Sequence, residues 1–437
     1  MEGPTVTTIA EVKLWGTTIG AVVLEDGTRI ARFQYDPEFI ESGIEVAPIV
    51  MPLSPEIYSF PNLNPQSFHG LPGLLADSLP DRYGNILIDE WLTRQGRTQD
   101  SFDAVERLCY TGSRGMGALE YVPATGPEST RCKKLKVDQL VELANSILAK
   151  RESLNVQLAG KDVMKDILMI GTSAGGARAK AIIAWNPKTN EVRSGQTQVG
   201  KGFEHWLIKF DGVGKNRDKE LADPKGYGVV EFSYYRMAKD CGITMSECRL
   251  FEEGKRRHFM TRRFDRSSNG EKLHMQSLAA IAHLDFNQAG AHSYEQAFTV
   301  LRQLGLPIQA SVELFRRMVF NIVARNQDDH VKNIAFLMDR QGAWSLAPAF
   351  DMTYNYQPGG QWTANHQMTL GGKRDGFIMD DFISCGKVAM LKRGEARKIV
   401  DTIQSVVSHW IEYAEKDRVL PPQRDKIQKT LRLEPFR

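Results

Sequence analysis

Between positions 328 and 351 the chain carries Asp328, Asn333 and Asp351, and this ordered trio constrains it more than any other feature. Phosphoryl transfer needs a carboxylate to orient an incoming hydroxyl, then an amide oxygen and a second carboxylate to hold Mg2+ against nucleotide phosphates. Asn333 follows Asp328 by five residues and Asp351 follows Asn333 by eighteen, the layout of a catalytic loop, a strand pair and a metal-binding turn. Residues 334–338 and 343–348 are apolar-rich and flank Asp339-Arg340-Gln341-Gly342, which predicts two strands joined by a tight turn. Taken alone, such polar residues also suit a solvated loop. Asp328, Asp329 and His330 would equally suit a metal-dependent hydrolase, although the distributed His and carboxylate ligands of such a site are not evident.

A kinase also needs a phosphate loop and a lysine upstream. Residues 171–180 read Gly-Thr-Ser-Ala-Gly-Gly-Ala-Arg-Ala-Lys and run into an apolar strand, so small residues would let backbone N–H groups approach phosphate while Arg178 and Lys180 add charge. A glycine pair by itself marks only a turn. Residues 205–210 alternate like a strand that places Lys209 near its end, suited to pairing with phosphate. Glu231 falls on an expected helix, where it would pair with Lys209 or else be an ordinary surface glutamate. The stretch 195–202 nearly spells a P-loop, but Gly202 follows Lys201 where a metal-binding hydroxyl is required, and a strand follows instead of a helix. It reads as a hairpin turn.

With these pieces in order, the chain resembles the HipA family, the serine/threonine kinase toxins of bacterial toxin and antitoxin modules. The resemblance is carried by five ordered blocks at 173–180, 206–210, 262–266, 328–333 and 349–355. It implies an α+β, two-lobed, protein-kinase-like fold, with a small β-rich lobe and a larger all-helical C-terminal lobe. It implies ATP and Mg2+ as cofactors, Asp328 as catalytic base, and Asn333 and Asp351 as metal ligands. Nucleotide contacts would come from Gly175, Gly176, Ala177, Arg178, Ala179 and Lys180, and from Lys209, with Arg262, Arg263 and Phe264 beside the adenine. His330, Val331, Lys332, Asn333, Phe350 and Asp351 would complete the nucleotide site. Ser173 matches a serine whose self-phosphorylation silences family members, because a phosphate there adds negative charge beside phosphate-binding groups. Implied partners are a HipB-like helix-turn-helix antitoxin, operator DNA contacted mainly through it, and a protein substrate, with aminoacyl-tRNA synthetases the suggested class. Such a kinase would inhibit growth and support persistence. Two places depart from the family pattern: Arg262 stands where a relative can carry Glu, and Arg178 and Ala179 where Gln and Glu are known. A regulatory module without turnover and a small-molecule kinase remain alternative readings, because the trio does not define the acceptor.

The chain has 437 residues, 42% hydrophobic and 25% charged, enough for a large core and two or three domains. The expected division is 1–125, a β-containing subdomain; 126–268, the lobe with Lys209; and 269–437, the helical lobe with the catalytic loop. Alternation over the first 35 residues predicts strands, and residues 72–97 predict helix broken at Pro80. The Gly-Ser-Arg-Gly-Met-Gly stretch at 112–117 reads as a turn, followed by a polar linker and an amphipathic helix with Leu140, Leu143, Ala144, Ile147 and Leu148. Phe315, Met318, Val319, Ile322 and Val323 repeat like a buried helix leading to Asp328, and a late helix carries Ile399, Ile403, Val406, Val407, Trp410 and Ala414. The basic end from Arg424 onward reads as a solvated tail. Five cysteines show no metal-ligand spacing, and their odd number argues against a disulfide framework. No signal-peptide pattern or membrane-length apolar run occurs, so a cytoplasmic location without a membrane role is expected. A net charge of +3 is too mild to indicate nucleic-acid binding.

Overall fold

Alternating residues at the start of the chain become an antiparallel sheet in the computed structural model, which describes residues 7–25, 27–98, 101–127, 134–149, 171, 178–196, 200–213, 225–267 and 270–436. Strands β1 (Thr8–Leu14), β2 (Thr17–Leu24), β3 (Arg32–Tyr35), β4 (Ile57–Tyr58) and β5 (Leu119–Val122) lie in the order β4-β3-β2-β1-β5. Ala10, Val12 and Leu14 turn one face of β1 inward, while Glu11 and Lys13 occupy the other, as a half-buried strand requires. Helix α1 (Arg82–Arg94) starts just after Pro80, and Asp81 caps it by accepting from the Gly84 amide at 2.7 Å. Helix α2 (Ala104–Thr111) begins in a capping box between Asp103 and Glu106. Helix α3 (Val137–Ala149) buries Leu140, Val141, Leu143 and Ala144.

A second sheet contains β6 (Lys180–Asn186), β7 (Glu191–Ser194), β8 (Glu204–Lys209), β9 (Cys248–Glu253) and β10 (Arg256–Arg262), in the order β7-β6-β8-β10-β9. Residues 180–185 of β6 are all buried, the signature of a strand covered on both faces. Ile183, Trp206 and Ile208 share one core with Tyr83 and Leu87 of α1 and Leu140 and Val141 of α3. This order corrects the hairpin expected at 195–202. β7 and β8 do not pair with each other; each pairs antiparallel with β6, on opposite edges of that strand. A buried apolar strand satisfies its backbone best with a neighbour on both sides, so the connection crosses over β6. The turn at 112–117 is tied down by Asp265, which accepts from the Gly117 amide at 2.8 Å; a Cβ at Gly117 would meet the Met275 amide nitrogen at 3.0 Å.

These elements form one compact unit, which comprises Met1–Lys225, Phe251–Met275 and Met338–Gly342; the remainder forms a second. The second unit holds α4 (Tyr227–Asp240), α5 (Tyr294–Gln303), α6 (Ile308–Val323), α7 (Met379–Val388), α8 (Glu395–Ser408), α9 (Trp410–Asp417) and α10 (Pro421–Gln428). Short strands β11 (His274–Ser277), β12 (His292–Ser293), β13 (Ala335–Met338), β14 (Trp344–Leu346) and β15 (Met368–Thr369) accompany the helices. β13 and β14 are the strand pair expected from the apolar runs after Asn333. Phe315, Met318, Val319, Ile322 and Val323 of α6 are all buried.

Three expectations are corrected in this unit. The lobe expected to be all-helical also carries the short strands β12, β14 and β15. The late helix is two helices, because His409 leaves helical geometry between α8 and α9. The basic end is not a solvated tail: Ile427 is buried, the Arg432 guanidinium donates to the Ile322 carbonyl at 2.7 Å, and Phe436 packs on Phe382 with ring centroids 4.8 Å apart. Helix carbonyls that lack an intrahelical partner attract such donors, which charge counting along a sequence does not register. The four described cysteines are buried free thiols. Among the described residues no helix is long and apolar enough to cross a membrane.

His274, fully buried, generates a pH prediction. Burial, which disfavours its charged form, brings the imidazole down from 6.5 to about 4. The unfolded chain therefore binds the extra proton first, so stability is complete above the ordinary histidine range and declines as pH falls toward 4. Urea unfolding at pH 7 and pH 5 is expected to show a loss of about 2 kcal/mol from this residue. A His274→Gln variant should lack that part of the pH dependence.

Candidate active site

Helix α6 delivers the chain to the polar loop, and a backbone stitch then fixes where that loop lies. Arg325 adopts a left-handed φ of 57°, and its carbonyl accepts from the Asn355 amide at 3.0 Å. The Asn355 carbonyl in turn accepts from the Gln327 amide at 3.0 Å. Side chains repeat the link: the Asn355 amide donates to Asn326 Oδ1 at 3.2 Å, and Asn326 Nδ2 reaches the Asp351 carbonyl at 3.3 Å. Asp351 is itself left-handed, with φ 52°, a conformation that costs about 1 kcal/mol for a residue with a Cβ and persists where neighbours enforce it. Asp328, Asn333 and Asp351 thus belong to one stitched assembly.

Asp328 is half-buried, and its Oδ1 accepts from Trp362 Nε1 at 2.6 Å, with His330 Nε2 3.7 Å away. Trp362 fixes the carboxylate's direction. Asn333 ends the short helical turn Val331–Asn333, whose Val331 side chain is buried as an anchor. Its Nδ2 donates to the Asp328 carbonyl at 2.7 Å, so Oδ1 is the atom of that amide left to meet a cation. Lys332 places its ammonium 4.5 Å from the Phe286 ring centroid. Phe350 is half-buried beside a cavity of about 20 Å³, also lined by Asn326, Asp329 and Asn333, with room for about one water.

Asp329, one residue on, is buried and differently used. Its carboxylate accepts from Tyr294 Oη at 2.7 Å, His366 Nδ1 at 2.8 Å and the Gln367 amide at 2.8 Å. Burial alone would raise its pKa; His366, Tyr294 and Gln367 outweigh burial and hold the carboxyl below its usual range. With three donors engaged, Asp329 is a structural anion here, and the hydrolase reading loses one of its three ligands.

The remaining expected residues lie in the first unit, except Glu231, which is buried on α4 of the second. Lys209 ends β8, directly opposite Lys180 on β6 and Phe259 on β10, with its ammonium 5.7 Å from the Phe259 ring centroid. Lys180 is almost wholly buried and forms a 2.8 Å ion pair with Asp81, the cap of α1. Arg178 is half-buried and Ala179 buried, while Ser173, Gly175, Gly176 and Ala177 lie outside the described residues. Arg262 ends β10; the Arg263 guanidinium grips Asp265 at 2.6 and 2.8 Å, and Phe264 is half-buried. Arg266 joins the same carboxylate at 2.8 Å, and the two guanidiniums overcome burial to hold Asp265 far below the usual carboxylate range. The Arg263 side chain is therefore committed to Asp265 within the protein.

Sequence reasoning did not find Trp362, His366, Arg432, Tyr294, Asp81 or Asp265. Most act on partners far along the chain, with no local spacing to reveal them. Asp81, which follows Leu-Pro and precedes a helical pattern, carried a readable cap signal.

Residues 172–410 match the HipA-like C-terminal domain family, and residues 10–122 match the HipA N-terminal domain family. The chain belongs to the HipA family. Its fold is similar to that of HipA from Shewanella oneidensis, solved as a HipA, HipB and operator DNA complex, with a TM-score of 0.66, 17% identity, and coverage of 96% of this chain and 94% of that one. A curated relative from Haemophilus influenzae described as a putative kinase is 27% identical over 159 residues, or 32% of this chain. The chain spans 46% of that relative's length.

Within the HipA fold, the Lys180–Asp81 pair is a stability determinant. Asp81→Ala removes both a buried charge partner and a helix cap, and should lower the unfolding free energy by about 3–5 kcal/mol. Chemical denaturation of the two proteins measures this. A loss under about 1 kcal/mol would contradict the buried pairing.

Proposed function

We propose that the protein is an ATP- and Mg2+-dependent kinase that transfers the γ-phosphoryl group to a serine or threonine hydroxyl of a protein. The observation that carries this reading is the half-buried Asp328 carboxylate, aimed by Trp362 and joined through the backbone stitch to Asn333 and Asp351. A hydroxyl that approaches the Asp328 carboxylate would be oriented for attack and would find an acceptor for its proton. The amide oxygen of Asn333 and the carboxylate of Asp351 are hard oxygen donors, and Mg2+ suits a site with few protein ligands completed by water and phosphate. Mg2+ held there would offset the charge of the transferring phosphates.

Lys209 would meet the nucleotide phosphates, supported by its place at the end of a central strand, and Glu231 would be its helix partner. Residues 175–180 would cover the nucleotide, while the backbone of 262–264 would flank the adenine. Ser173 would be the self-phosphorylation site and off-switch. The lobes would divide near 126 and 268. The Shewanella complex supports a HipB-like antitoxin and operator DNA as partners, and the family resemblance implies that the DNA would be contacted mainly through the antitoxin. A protein acceptor, with aminoacyl-tRNA synthetases as the suggested class, a growth-inhibiting role and a cytoplasmic location follow from the family resemblance.

Incubation with labelled ATP and Mg2+, alone and with a cell extract, tests the reading. Asp328→Asn should reduce transfer by at least about 100-fold while nucleotide binding persists. Asp351→Asn should instead weaken Mg2+-dependent nucleotide binding. Mass spectrometry should place phosphate on Ser173, and Ser173→Ala should abolish that signal. Equal transfer by the Asp328 variant would sink the assignment of the base. Nucleotide binding without any transfer by the natural sequence would favour a regulatory module.

A further inference from the structure

Behind the catalytic loop, hydrogen bonds lead from the C-terminal segment to the carboxylate next to Asp328. Arg432 is positioned first by the backbone, its amide donating to the Val323 carbonyl at 3.0 Å. Its guanidinium donates to the Ile322 carbonyl at 2.7 Å, to Asp375 Oδ1 at 2.7 Å and to His366 Nε2 at 2.9 Å. Arginine has no acceptor atom. Although burial lowers Arg432 to about 10, it remains protonated at neutral pH, so His366 Nε2 must accept. The ring proton therefore resides on Nδ1, which donates to Asp329 at 2.8 Å. His366 is fully buried.

The links continue beyond Asp329. Tyr294 Oη donates to Asp329 and accepts from Asn321 Nδ2 at 3.2 Å; Asn321 Oδ1 accepts from Asn326 Nδ2 at 2.9 Å, and that same amide reaches the Asp351 carbonyl. One network, buried at Asp329, His366, Tyr294 and Asn326, thus touches the residue after Asp328 and the backbone of Asp351. Its fixed polarity originates at Arg432, because the donor there cannot be reversed.

We propose that Arg432 and His366 are positioning residues for phosphoryl transfer: Arg432 fixes the His366 tautomer, and His366 holds Asp329 so that the adjoining Asp328 faces the acceptor. This role rests on the kinase reading above. It makes the segment after α10 a working part of the catalytic loop. Loss of the Nδ1 donor would leave the buried Asp329 charge short of a partner and let the loop shift, and a displacement of about 1 Å can reduce rate by about 100-fold.

The full-length protein and its His366→Ala, His366→Asn, Arg432→Met and Asp328→Asn variants are compared for phosphate transfer with labelled ATP and Mg2+, with a cell extract as acceptor. Asparagine presents an N–H near the place of Nδ1–H. His366→Ala and Arg432→Met are expected to transfer about 10–100-fold more slowly, with half-saturating ATP changed by about twofold or less. His366→Asn should recover most of the rate. In the natural sequence, nitrogen NMR shifts should place the His366 proton on Nδ1, a readout that needs neither activity nor a stable variant. A proton on Nε2 would overturn the relay, as would an asparagine variant as slow as the alanine one. If the natural sequence transfers, Asp328→Asn does not, and His366→Ala matches the natural rate, the relay fails while the kinase reading stands. Absence of transfer by the natural sequence overturns both.

Discussion

The paired backbone bonds between Arg325, Gln327 and Asn355 are the constraint on which the candidate site depends. They fasten the end of a helix-fed loop to the start of a turn that lies beyond a strand pair, and side-chain amides of Asn326 and Asn355 duplicate the fastening. Two left-handed residues without glycine's freedom, Arg325 and Asp351, are held on either side of it. Such geometry is unfavourable locally, so the stitch and the buried side chains beneath it must supply the compensation. The arrangement of Asp328, Asn333 and Asp351 is therefore a product of these contacts as much as of their own spacing.

The structure repeatedly buries a charge and then answers it. Asp265 takes two guanidiniums and a backbone amide, Asp329 takes a histidine, a tyrosine and a backbone amide, and Lys180 takes the carboxylate that caps α1. Each would be costly alone in a medium that solvates charge poorly. Each also fixes a direction: the turn at 112–117, the loop at 328–333 and the start of β6 acquire one arrangement because another would strand an ion.

The chain's local elements were legible where periodicity or punctuation carried them. The buried stripe of α6, the break at Pro80, the strand pair after Asn333 and the Asp328–Asn333 spacing all follow from patterns within a few turns or strands. What could not be read is long-range. The crossover that puts β7 and β8 on opposite sides of β6 depends on which strand the core covers, not on the turn residues between them. Trp362, His366 and Arg432 reach their partners across tens of residues, and the basic end looked soluble because its charges were counted without the carbonyls and carboxylate that receive them. The single late helix failed at His409 for a similar reason, since apolar spacing continues through a backbone break.

The first unit is discontinuous in sequence: strands β9 and β10, which complete its second sheet, come from beyond α4 of the second unit. Synthesis through residue 225 therefore leaves β8 with an unpaired edge, and Asp265 has yet to reach Gly117 across 148 positions. Closure must await residues that emerge after part of the other unit, which raises contact order and slows folding. During that interval the apolar β8 edge is open to any strand, including one from another nascent chain. The cell would therefore face an assembly hazard for this chain before its first unit was complete, and a partner or chaperone that covered that edge would act on a half-built sheet.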